Sequence, residues 1–513
     1  MKGHAGTDTP ISLVPVLHPN TISSHANQPL LDLVRSQEQA IGRGARTTQP
    51  KYLSVHRIAV AASLVGTFIT VALLLAGCAG TPTEGETRAR HDQASIGQVY
   101  RPSGRRPDLP PLDATSPLRD FLLFAILNQP RVEAAYFDWA ASIERITVER
   151  SLPDPRLTFE ADIADTVMSL MPGLMSDFPG PGKLAAAAQA ATAESAARYF
   201  AYESSILQTA FAFKKAYYQL EFLDATLGAT RETLRLVGDL EKLALIQNEV
   251  GKVTLQDVLR ARIEQDRLTT AIANLDESRQ SLLAQFKASL GLKAEDPAPA
   301  VPYKLETTPL DLSAEMLFAT ALARNPRLQS MEAEVQLAEA SLLLATKAKV
   351  PDFSAGIMAN VKAFPVMVRP SVGVSLPIWR DKIAAQITGA QATKRAAEAR
   401  LSAEQIALAV EFAEKSFLFR EASRNLKLLK ERLLTMARQS VEVAQSGYVG
   451  GKLDFLNVID AERTLLDFQL SEIEAGLQRE LILAELSLLI LGTPPENAPV
   501  LPSKAHLAED ETP

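Results

Sequence analysis

The clearest pattern along the chain is helical. In its last third, Ile459, Leu466, Leu470, Ile473, Leu477, Leu481, Ala484, Leu488 and Leu491 recur at steps of three, four and seven, the seam of a packed helix. Leu268, Ile272, Leu275, Leu282, Phe286 and Leu290 repeat it more loosely. Both seams read as packing. Each lies in a long proline-free window, bounded by Pro181 and Pro297 or by Pro377 and Pro494, and proline is what an uninterrupted helix excludes. One glycine signal divides each window, Gly251-Lys252 in the first and Gly450-Gly451-Lys452 in the second, predicting a helix stop and a fresh start. The long arms this leaves, 183–249 and 382–448, have 67 residues each, roughly 100 Å of helix. The return arms, 254–290 and 453–491, are too short to cover them. Helical stretches at 131–151 and 326–349 supply the missing length, so each half is expected to be one long helix packed against two shorter ones in line. The long arms begin with alanine-rich runs, 185–197 and 384–399, which allow close helix approach.

A second pattern has a period of two. Leu157, Phe159, Ala161 and Ile163 alternate with Arg156, Thr158, Glu160 and Asp162. Phe353, Ala355, Ile357, Ala359 and Val361 alternate with Ser354, Gly356, Met358, Asn360 and Lys362. Val372, Val374 and Leu376 alternate with Ser371, Gly373 and Ser375. These predict strands with one apolar and one polar face. Residues 170–178 alternate poorly and are read as a strand from their counterpart in the other half. Loops are expected near 165–169 and 363–367. The halves form an internal duplication: Asn128-Gln129-Pro130-Arg131 answers Asn325-Pro326-Arg327, Pro153-Asp154 answers Pro351-Asp352, Pro179 answers Pro377, Gly251-Lys252 answers Gly451-Lys452, and Leu290-Gly291 answers Leu491-Gly492, with offsets drifting from 196 to 201. The expected fold is mainly α with a small β part: duplicated long helical hairpins plus two β-hairpins contributing four strands. Four strands cannot close a barrel, for which about eight is the practical minimum. A sheet crossing lipid must have no open edge, so a spanning barrel requires several copies of the chain. Phe178 and Trp379 then sit either at a membrane interface or in packing beneath it.

The expected domain order is a leader and signal peptide at 1–77, removed on maturation, an extended tether at 78–117, a first repeat at 118–291, a linker at 292–312, a second repeat at 313–492 and a disordered tail at 493–513. The signal reading rests on Lys51, His56 and Arg57 before the apolar run 58–76. Residues 1–50 are an unusually long leader or reflect a start codon placed too early. Leu75-Ala76-Gly77-Cys78 resembles the bacterial lipobox, which makes Cys78 the expected lipidation site, and Ala79 after it favours the outer membrane by the same resemblance. Cys78 is the single cysteine, so there is no internal disulfide framework. A net charge of −7 argues against a nucleic-acid partner.

Pro153-Asp154-Pro155, Phe178-Pro179-Gly180-Pro181-Gly182-Lys183, Leu376-Pro377-Ile378-Trp379-Arg380 and Gly447-Tyr448-Val449-Gly450-Gly451-Lys452-Leu453, in duplicated order, resemble the TolC family of outer-membrane efflux proteins, and specifically its lipoprotein branch serving RND-type pumps. The resemblance covers residues 118–492. It implies a homotrimer whose four strands per copy make a twelve-stranded transmembrane β-barrel, continued by a helical tunnel, the α-barrel, in the periplasm. It also implies a periplasmic adaptor and an inner-membrane pump as partners. The Pro-Gly-Lys form resembles members associated with heavy-metal and cation export. Such a duct conducts and does not transform, so neither a catalytic residue nor a cofactor is expected. The barrel lumen is assigned to Arg156, Glu160, Asp162, Asn360, Lys362 and Arg369. Docking and gating are assigned to the hairpin tips, Gly251, Lys252 and Asp257 in the first repeat and Tyr448, Gly450, Gly451, Lys452 and Asp454 in the second. Asp257 and Asp454 are either a carboxylate ring near the opening or helix-start acids favoured by the helix dipole.

Met168, Met171 and Met175 read as lipid-facing or packing residues rather than metal ligands. Of the six histidines, His4, His18, His25 and His56 fall in the leader and His91 and His506 in the tether and tail, leaving none for catalysis in the folded body. Two alternatives keep parts of this pattern. A duct for secreted proteins or peptides shares the fold, whereas a periplasmic coiled-coil scaffold or adaptor explains the hairpins but not the strands.

Overall fold

The computed structural model describes residues 82–163, 166–297, 301 and 314–502, all within the unit Gly77–Pro513. Cys78, the signal segment, most of the linker and the end of the tail lie outside the described residues.

A leading helix, α1 (Glu84–Tyr100), precedes the first repeat, which runs α2 (Leu118–Asn128), α3 (Pro130–Arg150), β1 (Arg156–Ile163), β2 (Val167–Phe178), α4 (Lys183–Glu249) and α5 (Leu255–Ser289). The second runs α6 (Ala314–Arg324), α7 (Pro326–Lys347), β3 (Asp352–Asn360), β4 (Met367–Ser375), α8 (Arg380–Leu428), α9 (Leu434–Val449) and α10 (Phe455–Ala484). α4 is a single rod of 67 residues, as its proline-free sequence predicts, and it packs against α3, α5, α7 and α10. α3 and α7 begin with proline at the first helical position, where the missing N–H costs nothing. α8 packs on α7 and α10 and buries only Ala397, Leu408, Phe412 and Ala422 along its 49 residues. One long face of the second rod is therefore left uncovered by its own chain.

Two π-turns distinguish the repeats. Leu429–Leu433 joins α8 to α9, and Glu485–Ile490 extends α10. A π-turn accommodates an inserted residue within a continuing helix. Both lie where the repeat offset grows: from 198 at Pro179/Pro377 to 200 at Gly251/Gly451, then to 201 at Gly291/Gly492. The second repeat takes up extra residues as wide turns and stays helical.

A matched clasp closes each repeat. Asn128 Nδ2 donates to Leu290 O at 2.9 Å, and Asn325 Nδ2 donates to Leu489 O and Ile490 O at 3.0 and 2.9 Å. Gly291 and Gly492 stand beside them at φ +71° and +65°, and a Cβ on either would lie 2.7 or 2.9 Å from a backbone carbonyl oxygen. Glycine is required at both by conformation and by space. Apolar clusters line the rods, and the three largest mark their middle and two ends. Phe121, Phe213 and Phe286 meet Ala484 and Leu488 at mid-length. Tyr100, Tyr136, Trp139 and Tyr202 form an aromatic group nearer the sheet. Val237, Val258, Val441, Tyr448 and Phe455 close the far end.

The predicted tether and tail need correction. Residues 84–100 are helix, capped by Thr83, whose side chain accepts from Glu86 N. Their charge-rich sequence hides this because the contacts are specific pairs. Glu86, 1% exposed, is bound by Arg150 and Arg90, while Ile96 and Tyr100 enter the aromatic group. His91 lies on the exposed side of this helix. Residues 493–502 of the expected tail also dock: Tyr202 Oη donates to Pro499 O and Leu501 N donates to Tyr199 Oη, both at 2.9 Å.

Candidate functional site

The sheet has order β1-β2-β3-β4, all antiparallel. Each repeat contributes one hairpin, and β2 joins β3 from Gly173↔Met358 to Phe178↔Phe353, so one sheet spans both repeats and ends in two unpaired edges, β1 and β4. Its register sorts the side chains. Leu157, Phe159, Leu170, Leu174, Phe353, Ile357, Val368, Val372 and Val374 share one face, and every one is exposed, up to 79% for Val372. The other face carries Arg156, Thr158, Glu160, Asp162, Ser169, Asp177, Ser354, Asn360, Arg369 and Ser371. Its polar groups pair among themselves: Arg156 with Asp177, and Ser169 Oγ to Asp162 at 2.5 Å. A thin sheet, bare and apolar on one side and charged on the other, separates an apolar medium from water.

Five of the expected lumen residues, Arg156, Glu160, Asp162, Asn360 and Arg369, share this polar face. Lys362 does not belong to a strand. It lies in the turn after β3, where its N donates to Asn360 Oδ1 at 3.1 Å and its Nζ donates to Val167 O at 2.6 Å. Met171 and Met175 also lie on the polar face, opposite Glu160 and Arg156, and the buried Met171 matches the packing alternative rather than the lipid-facing one. This is why β2 alternates poorly: it carries apolar residues on both faces. Phe178 pairs with Phe353 on the apolar side, and Trp379 caps the start of α8 with 71% of its surface exposed. At the root of the sheet, Asp352 receives Gly180 N and Lys183 Nζ, both at 2.7 Å, fixing where α4 leaves the strands.

At the opposite end the two tips are built alike. Gly251 and Gly451 take φ +72° and +69° with open space around them. Gly251 N donates to Asn248 O and Lys252 N to Gln247 O; Gly451 N donates to Tyr448 O and Lys452 N to Gly447 O, at 2.8–3.0 Å. This double bond over a left-handed glycine is how a helix ends with its last carbonyls satisfied. Gly450 precedes it in helical conformation as the cap of α9. Asp257 forms a capping box with Thr254 and approaches Arg260 at 3.7 Å. Asp454 is the N-cap residue of α10, without a side-chain cap bond. Tyr448 is buried against Phe455, ring centroids 5.4 Å apart, and burial holds its hydroxyl above the ordinary tyrosine range, with Asp257 of the other tip adding to the effect.

Sequence reading missed the links between the tips, because no spacing encodes them. Arg463 Nη2 reaches Glu264 Oε2 at 2.6 Å across repeats, with Glu264 3% exposed, while Gln445 donates to Glu462 at 2.9 Å within the second tip. Val250, Leu255, Leu259, Ile263, Val449 and Leu456 stay exposed around them. Among the described residues no group of three or more His, Cys, Asp or Glu could hold a metal ion, and no helix is long and apolar enough to cross a membrane.

Comparison with known proteins agrees with this geometry. Residues 124–292 and 317–492 match the family described as outer membrane efflux protein, one segment per repeat. The cobalt-zinc-cadmium resistance protein CzcC of Cupriavidus metallidurans is 27% identical over 221 residues, 42% of this chain and 51% of that protein; the chain thus spans about half the length of this curated relative. The outer membrane protein VceC of Vibrio cholerae superposes with a TM-score of 0.61 at 19% identity, over 73% of this chain and 96% of that one. The Campylobacter jejuni CmeC outer membrane channel gives 0.64 at 13%, over 77% and 89%. The chain shares the fold of these proteins, mainly helical with a small antiparallel sheet, and the family and its solved relatives are channel proteins rather than enzymes.

Proposed function

Because the chain belongs to the outer membrane efflux protein family, we propose that three copies join their open sheet edges into one barrel that conducts solutes outward through the outer membrane. The observation that carries this is the sheet itself. Its apolar face is bare, its polar face is internally paired, and both edges lack partners, a combination unstable in one copy and satisfied by closure. The uncovered face of α8, with Ile406, Val410 and Phe417 exposed, is where the next copy packs, so the long helices continue the barrel as a tunnel of roughly 100 Å. The duct is passive. An inner-membrane pump of the RND type supplies energy through a periplasmic adaptor, which docks on the exposed apolar residues and the Gly251 and Gly451 turns. Cys78 carries the lipid anchor.

The likeness to a cobalt-zinc-cadmium resistance protein supports cations as cargo. Native mass measurement of detergent-solubilised protein is expected to give a trimer, and a stable monomer with intact strands contradicts the closed barrel. Cys78→Ser is expected to abolish lipid labelling. Deleting the gene and scoring survival against panels of metals and drugs identifies the cargo; sensitivity to drugs alone overturns the cation reading.

A further inference from the structure

We propose that the groove where α3 and α5 meet α4 at mid-length binds a small organic anion bearing two or more carboxylates. Its volume is about 380 Å³, within the range of small-molecule sites. Arg131 and Lys215 line it together with Gln129, Gln208, Gln219 and Gln285, and no Asp or Glu does. Among the described residues neither cation makes an ion pair. Gln219 Oε1 is buried in the wall without a hydrogen-bond partner, an acceptor that calls for a donor from outside the chain.

The duplication provides an internal comparison. The long rods correspond at an offset of 199, which aligns the buried Phe213 with the buried Phe412, and the ends of the return arms at 200, which aligns Phe286 with Leu486. Arg327, the counterpart of Arg131, is held by Glu404 and Glu411, and Lys415 is held by Glu485. In the first repeat Ser205 and Ala212 replace Glu404 and Glu411, Lys215 replaces Glu414, and Gln285 replaces Glu485. The arginine is kept while all four carboxylates are gone, so the charge that the second repeat neutralises internally is left for a ligand. Arg131 stands to Ala212 as Arg327 stands to Glu411, and Lys215 follows Ala212 by one helical turn, about 5–6 Å. A guanidinium forks one carboxylate, the ammonium takes a second, and a ligand hydroxyl suits Gln219 Oε1. On α4, Gln208, Ala212, Lys215 and Gln219 stand opposite Phe213 and Tyr217, which pack with Phe121 of α2. The side that carries α2 is the outside of a closed ring of rods, so the groove opens inward, on the conduit. That placement rests on the duct reading, whereas the site itself does not.

Citrate is titrated calorimetrically, at low ionic strength, into the purified detergent-solubilised protein and three variants. Ala212→Glu, at an exposed position, restores the second repeat's carboxylate and gives Arg131 an internal partner. Lys215→Gln removes one charge, and Arg198→Gln removes the same charge from an exposed residue of α4 about 25 Å away along the helix. The wild type is expected to bind one citrate per chain. Ala212→Glu and Lys215→Gln are each expected to bind it at least about tenfold more weakly, the loss of one charged hydrogen bond, and Arg198→Gln to bind it as the wild type does. No citrate binding, or an equal loss in Arg198→Gln and Lys215→Gln, overturns the site. In planar bilayers citrate is expected to lower the single-channel conductance of the wild type but not of Ala212→Glu. A conductance indifferent to citrate while the calorimetric site persists defeats the inward placement alone, and the absence of any channel defeats the duct reading.

Discussion

Replacing Asn325 tests whether the repeat clasp is a fastening or a mere contact. This side chain is fully buried and makes three bonds: it donates to Leu489 O and Ile490 O at 3.0 and 2.9 Å and accepts from Arg327 N at 2.9 Å. Asn325→Ala removes a helix cap, about 1 kcal/mol, and leaves two buried carbonyls short of a donor, a further 1–3 kcal/mol or so. The total of roughly 2–4 kcal/mol corresponds to about 30- to 700-fold in a local opening equilibrium. Hydrogen exchange of the amides around residues 325–331 and 486–492 is expected to accelerate by that order, with a lowered melting temperature by circular dichroism. The decisive comparison is with aspartate. Asn325→Asp keeps the acceptor for Arg327 N but sets a carboxylate against two carbonyl oxygens, so it is expected to cost at least as much as alanine. Asn128→Asp is milder, because Asn128 Oδ1 already accepts from Arg106 Nη1 at 3.0 Å and a carboxylate there gains a cation. Wild-type exchange in Asn325→Asp, or greater damage from Asn128→Asp, refutes the reasoning.

Gly251→Ala and Gly451→Ala force an L-residue into the left-handed region with nothing to clash against, costing about 1–2 kcal/mol each. Export is expected to fall while membrane insertion is unchanged, and normal export removes the docking assignment. Arg463→Ala leaves Glu264 with the more distant Arg267 at 3.9 Å. With Arg463 half exposed, the loss is about 1–2 kcal/mol, read as faster exchange at residues 255–270 and larger single-channel conductance; unchanged exchange removes the link between the tips. Burial pushes the Glu203 carboxyl up to about 7 from an ordinary 4.5. Its folded value thus exceeds its unfolded one, so stability is full below about pH 4.5 and falls as pH rises through about 7. Glu203→Gln is expected to flatten that slope in thermal melts, and an unaltered slope assigns the dependence to other groups.

Much of this architecture is legible from local rules. The limits of α4 follow from Gly182 and Gly251, and the hairpin order follows from duplication, because proline, glycine and periodicity act over a few residues. What escapes is nonlocal. α1 is a helix because Glu86 finds Arg150 and Tyr100 finds Tyr136 and Tyr202, partners between 36 and 102 residues away along the sequence. α2 and α6 are short helices whose apolar residues point at rods defined elsewhere. Only pairing register sorts Met171 and Met175 from Leu170 and Leu174, since the four stand in one run of mixed composition. The polar face predicted from alternation collects Arg156, Glu160, Asp162, Asn360 and Arg369, whereas Lys362 lies beyond the strand, where a turn begins.

The wide turn at Leu429–Leu433 makes the two long rods mechanically unlike. The first is an unbroken stave, whereas the second has a joint about twenty residues above its tip. Assembled threefold, stiff and jointed staves alternate around the pipe, so its mouth would yield at every other stave and widen toward a triangle rather than a circle.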